Sequence, residues 1–391
     1  MAGLGYVFSI FSNDILVQLT LLSPFLIPAI GLLILCLRIL IRRKAGRRLV
    51  GSLLLTTIAT YLVFVIMAAL LAPTGTSYGS AQPVVVVFGL IYLLLLDFGL
   101  ITAVFGLKTS GQGRKLAVIY GLAHFATLGL LAYAFYIEPL WLEVTQTEVA
   151  LAKLPPGTPA LKIALISDIH MERWTRRESE VVQKFEQLKP DLIIIAGDHI
   201  NIDHREARAI EDLSRFFAAL HAQDGVYAVA GGVDGYDAPR MLAGSAVRLI
   251  EDETVSLTVK GVKLNLVGIH NRDFESDALA LSELDQSVPS DGLKFLIYHS
   301  PDLASEAARA GYDFYFAGHT HGGQIALPFF GAIFTASKYG RTYAAGQYKL
   351  GGPANTNLYV TRGLGMEGMN TPRARLFARP EISVITFKPK D

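Results

Sequence analysis

Four long apolar runs precede residue 140, and they constrain the fold more than any other feature of the chain. They cover approximately 15–37, 50–72, 84–107 and 116–137. Each is close to the ~20 residues that a helix needs to cross the hydrocarbon core of a bilayer. A helix buried in a soluble protein rarely stays apolar all round, and four in succession predict a region of four transmembrane helices over 1–140. The first 14 residues hold no Lys or Arg, which does not suit a cleavable leader.

The loops between the runs set the expected orientation. Arg42, Arg43, Lys44, Arg47 and Arg48 lie between the first and second runs, and Lys108, Arg114 and Lys115 between the third and fourth. The loop between the second and third runs carries no charge. Basic loops stay in the cytoplasm, so both ends of the chain, and everything after residue 140, are expected on the extracytoplasmic side. Asp97 and His124 interrupt the apolar runs. A local partner accounts for both more simply than a transport role.

Past residue 140 the composition becomes that of an ordinary water-facing domain, although the whole chain has a mean hydropathy of +0.39. A net charge of +1 gives no global electrostatic case for a nucleic-acid partner. The single cysteine, Cys36, excludes an intrachain disulfide and a thiolate zinc site. The stretch 141–160, with Pro155, Pro156, Gly157 and Pro159, reads as a linker. From 161 to 391 short apolar segments alternate with amphipathic ones. Strands are predicted at 161–167, 191–196, 226–230, 263–269, 294–300 and 313–318, and helices at 178–189 and 205–222. This rhythm belongs to an α/β architecture.

Polar residues collect where these strands end, which is where open α/β sheets place their sites. Asp168 and His170 follow the first strand, Asp198 and His199 the second, Asp234 and Asp237 the third, His299 a later one, and His319 and His321 another. One such histidine is usually a satisfied structural residue. Imidazoles and carboxylates from four separate strand ends form the ligand set of Zn, Mn or Fe where no thiol is present. A metal-free polar cluster is the alternative, and so many imidazoles are hard to satisfy without a cation.

The segments SDIH, GDH, HSP and GHTHGGQ, in this order and spacing, resemble the calcineurin-like metallophosphoesterases. The segments 327–352, YVTRGLG and RPEISVITF look like the branch of bacterial exported phosphodiesterases and UDP-diacylglucosamine pyrophosphohydrolases. The resemblance runs from about 161 to 385. It implies a four-layer αββα sandwich of two mixed sheets between helices, and two divalent metal ions (Mn, Zn or Fe). Asp168, His170 and His321 would hold the first, Asp198 would bridge both, and His299 and His319 would hold the second. Asp198 and His319 would then be catalytic. Two such cations clamp a phosphate and lower the pKa of a water for in-line attack on phosphorus.

The chain departs from the family after the third strand. Where the family has Gly-Asn-His-Asp or Glu, this chain has Gly231, Gly232, Val233 and Asp234. Neither Gly232 nor Val233 has a side-chain polar atom, so an amide ligand of the second metal and a transition-state histidine are both missing. His199, Asp234 or Asp237 are candidate replacements. For His199 a loop position facing away is equally expected, and Asp234 suits a turn. His270 is a further histidine near a strand end and is not expected in the site. Gln324 and Arg362 are candidate substrate-binding residues. Gln324 could instead satisfy its own loop, and Arg362 could pair with Glu381. Arg173, Arg176 and Arg177, beside Trp174, suit a solvated charged face, or contact with anionic lipid or substrate.

The expected function is hydrolysis of a phosphodiester or pyrophosphate in a small molecule or a lipid, at a membrane, with an envelope-derived substrate favoured by the anchor. The alternative is a weakened pseudoenzyme, a membrane-bound module that binds metal and a phosphate ligand. The sequence fixes no oligomeric state.

Overall fold

The computed structural model describes residues 132–201, 207–367 and 373–390, with a few single positions between 122 and 130. The four apolar runs, and with them Asp97 and His124, lie outside the described residues except for the end of the last run. Among the described residues no helix is long and apolar enough to cross a membrane.

The catalytic-type domain is built on two six-stranded mixed sheets. The first contains β1 (Glu143–Leu151), β14 (Glu381–Pro389), β2 (Leu161–Ile166), β3 (Leu192–Ala196), β4 (Val226–Val229) and β5 (Val247–Leu249), in that spatial order. Strands β2 to β5 run parallel, and β14 is antiparallel to β2. The second sheet contains β12 (Gly346–Gly351), β13 (Thr356–Val360), β9 (Phe314–Ala317), β8 (Leu293–Ile297), β7 (Val262–Gly268) and β6 (Glu253–Val259). Its middle strands are parallel and its outer pairs antiparallel. A small hairpin, β10 (Ala326–Leu327) with β11 (Gly331–Ala332), stands apart from both.

The core divides into layers because the strands bury both faces. LIIIA in β3 is buried at every position, the continuous apolar pattern of a parallel strand covered on two sides. Leu192, Ile194 and Ala196 of β3 meet Leu264, Phe295 and Phe316 of the other sheet. Ile193 and Ile195 face α1 (Arg176–Leu188) and α2 (Ala207–Ala218) through Val181, Phe185, Leu213 and Phe216. On the far side, Val267, Leu296 and Tyr315 pack on α4 (Phe274–Asp285) and α5 (Ala304–Arg309) through Leu281, Ala304 and Ala307. A short α3 (Ala238–Leu242) adds Met241 and Leu242 to the first helical layer. The order helix, sheet, sheet, helix follows.

The stretch 141–160, expected as a linker, is in part a strand of the first sheet. Its first part is β1, which pairs in parallel with β14 along nine residues. Residues 143–151 are mostly polar, and only Val149 and Leu151 are buried, so this edge strand lacks the apolar signature that reveals the inner ones. Helix α1 also starts earlier than expected. Thr175 and Glu178 form a reciprocal capping box that fixes its N-terminus.

Candidate metal centre

Each expected ligand sits just past the C-terminal end of a strand, and all but His299 adopt a backbone conformation that few residues take. Asp168, His170, Asp198, His319 and His321 have φ of 48, 43, 53, 72 and 51°. A left-handed conformation costs a non-glycine residue about 1 kcal/mol or more, and such strain collects at functional sites. The backbone is therefore not extended through Asp168 and His170, or through His319 and His321. The chain turns sharply at these residues, and His319 and His321 serve two different groups.

The donor atoms meet as follows. His170 Nε2 and His321 Nε2 are 3.2 Å apart, and His321 Nε2 is 3.4 Å from Asp168 Oδ1. In the neighbouring group His299 Nε2 is 3.1 Å from Asp198 Oδ2 and 3.2 Å from His319 Nδ1. Asp198 Oδ2 also lies 3.7 Å from His170 Nε2, so it stands between the groups. Ligands held ~2.0–2.2 Å from one tetrahedral cation lie ~3.3–3.6 Å from each other. Asp168, His170 and His321 form one cluster whose ligand atoms all lie within 4.8 Å of one another, and Asp198, His299 and His319 a second. Two imidazole nitrogens facing each other at 3.2 Å cannot both donate, and His170 Nδ1 is buried with no hydrogen-bond partner. The residues fit divalent cations.

Surrounding bonds aim the ligands. His299 Nδ1 is 2.7 Å from the Ala196 carbonyl, which leaves Nε2 directed at Asp198. The His319 backbone N–H donates to both oxygens of Asp168, at 3.1 and 3.0 Å. Gly231 is forced to be glycine by closeness alone, since a Cβ there would stand 2.1 Å from Asp198 Oδ1. Gly365 is similar, because a Cβ would stand 2.7 Å from the Cβ of His170.

Burial sets the electrostatics. It pushes the Asp168 carboxyl up, against the pull of His299. Burial also opposes ionisation of Asp198, but His299 and His170 outweigh it and hold that carboxyl well below the carboxylate range. Burial disfavours a charged His299, yet Asp198 and Asp168 raise its pKa to about 10. Burial lowers His319, helped by His299. Burial lowers His321 further, helped by His170 and the Arg375 guanidinium. Without a cation, His299 therefore carries a proton at neutral pH, and a metal must displace it.

The remaining candidates fall outside this ligand set. His199 places Nδ1 2.9 Å from Asp234 Oδ2 and packs edge-on against Phe217. Asp234 is fully buried and accepts from the backbone N–H of His199 and of Gly231, so it ties the β3 and β4 loops together. His270 turns to Glu251, 3.0 Å away. Arg362 takes the ion-pair alternative: its side chain meets Glu143 at 2.9 Å and Glu381 at 3.2 Å. Gln324 takes the loop alternative, accepting from Glu367 N and donating to Glu367 O. Arg177, expected on a solvated face, is buried against Glu178 and donates to the Leu364 carbonyl.

Gln324 thus holds the backbone of Glu367, whose carboxylate is a ligand candidate that the sequence did not reveal. Glu367 Oε2 lies 3.9 Å from His170 Nε2, and His170, Asp198 and Glu367 make a third set of convergent ligand atoms. Glu367 follows a glycine-rich loop and no strand, so strand-end reasoning passes over it. An acid between glycines in GLGMEG was the one available signal.

Comparison with known proteins agrees with this geometry. The profile of the calcineurin-like phosphoesterase superfamily domain matches residues 161–326. The metallophosphoesterase YkuE of Bacillus subtilis is 33% identical over 272 residues, spanning 66% of this chain and 89% of YkuE. The chain belongs to the calcineurin-like metallophosphoesterases. Phosphodiesterase YaeI of Escherichia coli is 26% identical, over 67% of this chain and 94% of YaeI. A bovine transmembrane protein with a metallophosphoesterase domain is 27% identical, over 70% of this chain and 64% of its own length.

Members of this family bind divalent metals, and the departure at Gly232 and Val233 can be placed against that background. Val233 offers its backbone N–H to Asp198 Oδ1 at 3.2 Å. A Cβ on Gly232 would lie 3.2 Å from the side-chain oxygen of Asn271. Asn271 in turn donates to the Tyr298 hydroxyl, which donates to Asp277. An amide from a different loop therefore borders the place where the family's asparagine would begin.

Proposed function

We infer that this chain is a membrane-anchored phosphodiesterase whose two histidine–aspartate clusters each hold a divalent cation. The observation that carries this is the convergence of three ligand atoms in each cluster, neighbouring ones 3.1–3.4 Å apart, with Asp198 reaching both. The cations, when bound, supply the positive charge that clamps a phosphate and acidifies water. The protein's own part is positional. Asp198 stands between the clusters, His299 and His319 hold the far side, and the Asp168 loop closes the near side. His319 is partly exposed, which leaves that side of the centre open to a phosphoester. The apolar runs before residue 140 confine the domain to a bilayer and favour a substrate from the lipid or the envelope.

The loop at Gly232 and Val233 favours a second reading, a binding module with little turnover. Loss of a general acid costs about 10²–10⁴ in rate, and a substrate with a good leaving group tolerates that loss. Purified full-length chain, loaded with manganese, is expected to hydrolyse bis-p-nitrophenyl phosphate, and Asp198→Ala is expected to abolish it. Metal uptake with no hydrolysis of this activated ester would support the binding module instead.

A further inference from the structure

The β10–β11 hairpin and its surroundings expose an unusual amount of apolar side chain. Phe329 is 111% exposed and Phe334 64%, with Leu327, Phe330 and Ile333 also open to solvent. A contiguous exposed apolar patch marks an interaction site. Three more exposed residues adjoin it. The backbone N–H of Ala326 bonds the Leu376 carbonyl at 2.8 Å, which lays the hairpin along the segment carrying Phe377. Phe377 N–H and Ala378 N–H are in turn held by the buried Glu138 carboxylate. Ile137 and Trp141 flank Glu138, and both are about half exposed.

This places the patch beside the point where the last apolar run, 116–137, joins the domain. The fringe is cationic. The Arg341 guanidinium lies 3.7 Å over the Phe330 ring, and that of Arg379 3.7 Å over Trp141. Aromatic rings bordered by arginine are the composition of a bilayer interface, where rings sit at headgroup level and guanidinium groups reach anionic phosphates.

We propose that the β10–β11 hairpin dips into the membrane surface and carries the metal centre down to the level of the lipid headgroups. The hairpin follows directly from the His321 turn and folds back on it, since a Cβ on Gly323 would stand 2.5 Å from that of Ala332. Any depth the hairpin reaches is thus passed to His321. The substrate class is then a phosphoester borne by a lipid headgroup, delivered sideways and not from bulk water. This rests on the membrane-anchored phosphodiesterase reading.

The test uses the full chain with Cys36→Ser, reconstituted into vesicles of phosphatidylcholine and phosphatidylglycerol. A nitrobenzoxadiazole label is attached at Phe330→Cys and, as a control, at Ser290→Cys, an exposed position on the loop before β8. Lipids with a quencher in the acyl chain should remove most emission at position 330 and leave that at 290 unchanged. Unquenched emission at 330 would overturn the proposal. So would excimer emission from pyrene placed there, since it would make the patch a contact between two copies. A Phe329→Ser, Phe330→Ser, Phe334→Ser variant should keep its metal content and its hydrolysis of the soluble aryl ester, and lose hydrolysis of a lipid-tailed fluorogenic phosphodiester by about tenfold, in step with the apolar area withdrawn from the interface. Equal loss on both esters would contradict it. Failure of the wild-type chain on the soluble ester would instead count against the phosphodiesterase reading.

Discussion

At the scale of single residues, the site depends on ligands whose backbone is held in the left-handed region and packed closely against glycines. Asp198 is the most informative of them, because both clusters include it within reach. Asp198→Asn should keep the fold and lower metal content per chain, as read by elemental analysis. Glu367 adds a ligand atom 3.9 Å from His170. Glu367→Gln should weaken binding of the first cation by about 10–100-fold, the usual cost of disturbing a group that supports a metal site, with calorimetric titration as the check. An unchanged affinity would assign Glu367 to the loop alone. Gly231→Ala should act through sterics, since its methyl would collide with Asp198 Oδ1 at 2.1 Å. It should impair metal uptake more than the change of one methyl would suggest. Restoring Gly232→Asn requires the Asn271 amide to yield a few tenths of an ångström, because their contact begins at 3.2 Å.

At the scale of elements, strands were legible in proportion to their burial. β2, β3, β4, β7, β8 and β9 each announce themselves by a run of apolar residues ended by a polar one, and that polar residue is in most cases a ligand. β1 was not legible because its exposed face is polar and its pairing with β14 spans 238 positions of sequence (381 − 143). The convergence of imidazoles and carboxylates was legible from strand ends and their division into two sets only from the family resemblance, while Glu367 and Gln324 took roles set by loop contacts, and Arg362 by ion pairs to β1 and β14, that no periodicity encodes. Two elements offer tests of stability. Thr175→Ala removes the capping box of α1 and should cost about 1 kcal/mol, measured by chemical unfolding. Arg375 is fully buried, its pKa drawn down to about 9 by burial and by Arg177. It donates to the carbonyls of Arg362, Gly365 and Ala378, pinning the loop that covers Asp168. Arg375→Ala should strand those buried acceptors, at about 1–3 kcal/mol for each one left without a partner, and should loosen the first metal site.

At the scale of the whole molecule, an αββα domain follows a long stretch of apolar sequence. The orientation expected from the basic loops puts the metal centre outside the cytoplasm. A cysteine introduced at Ser290 should then react with an impermeant maleimide in intact cells, whereas one introduced at Ala45, in the first basic loop, should not; the reverse pattern would invert the topology. The metal centre is the claim on which the function depends. The most direct measurement is anomalous scattering from crystals of the chain grown with manganese. Two adjacent peaks are expected, one enclosed by Asp168, His170 and His321, the other by Asp198, His299 and His319. Manganese absent from these side chains, or bound elsewhere, would contradict it.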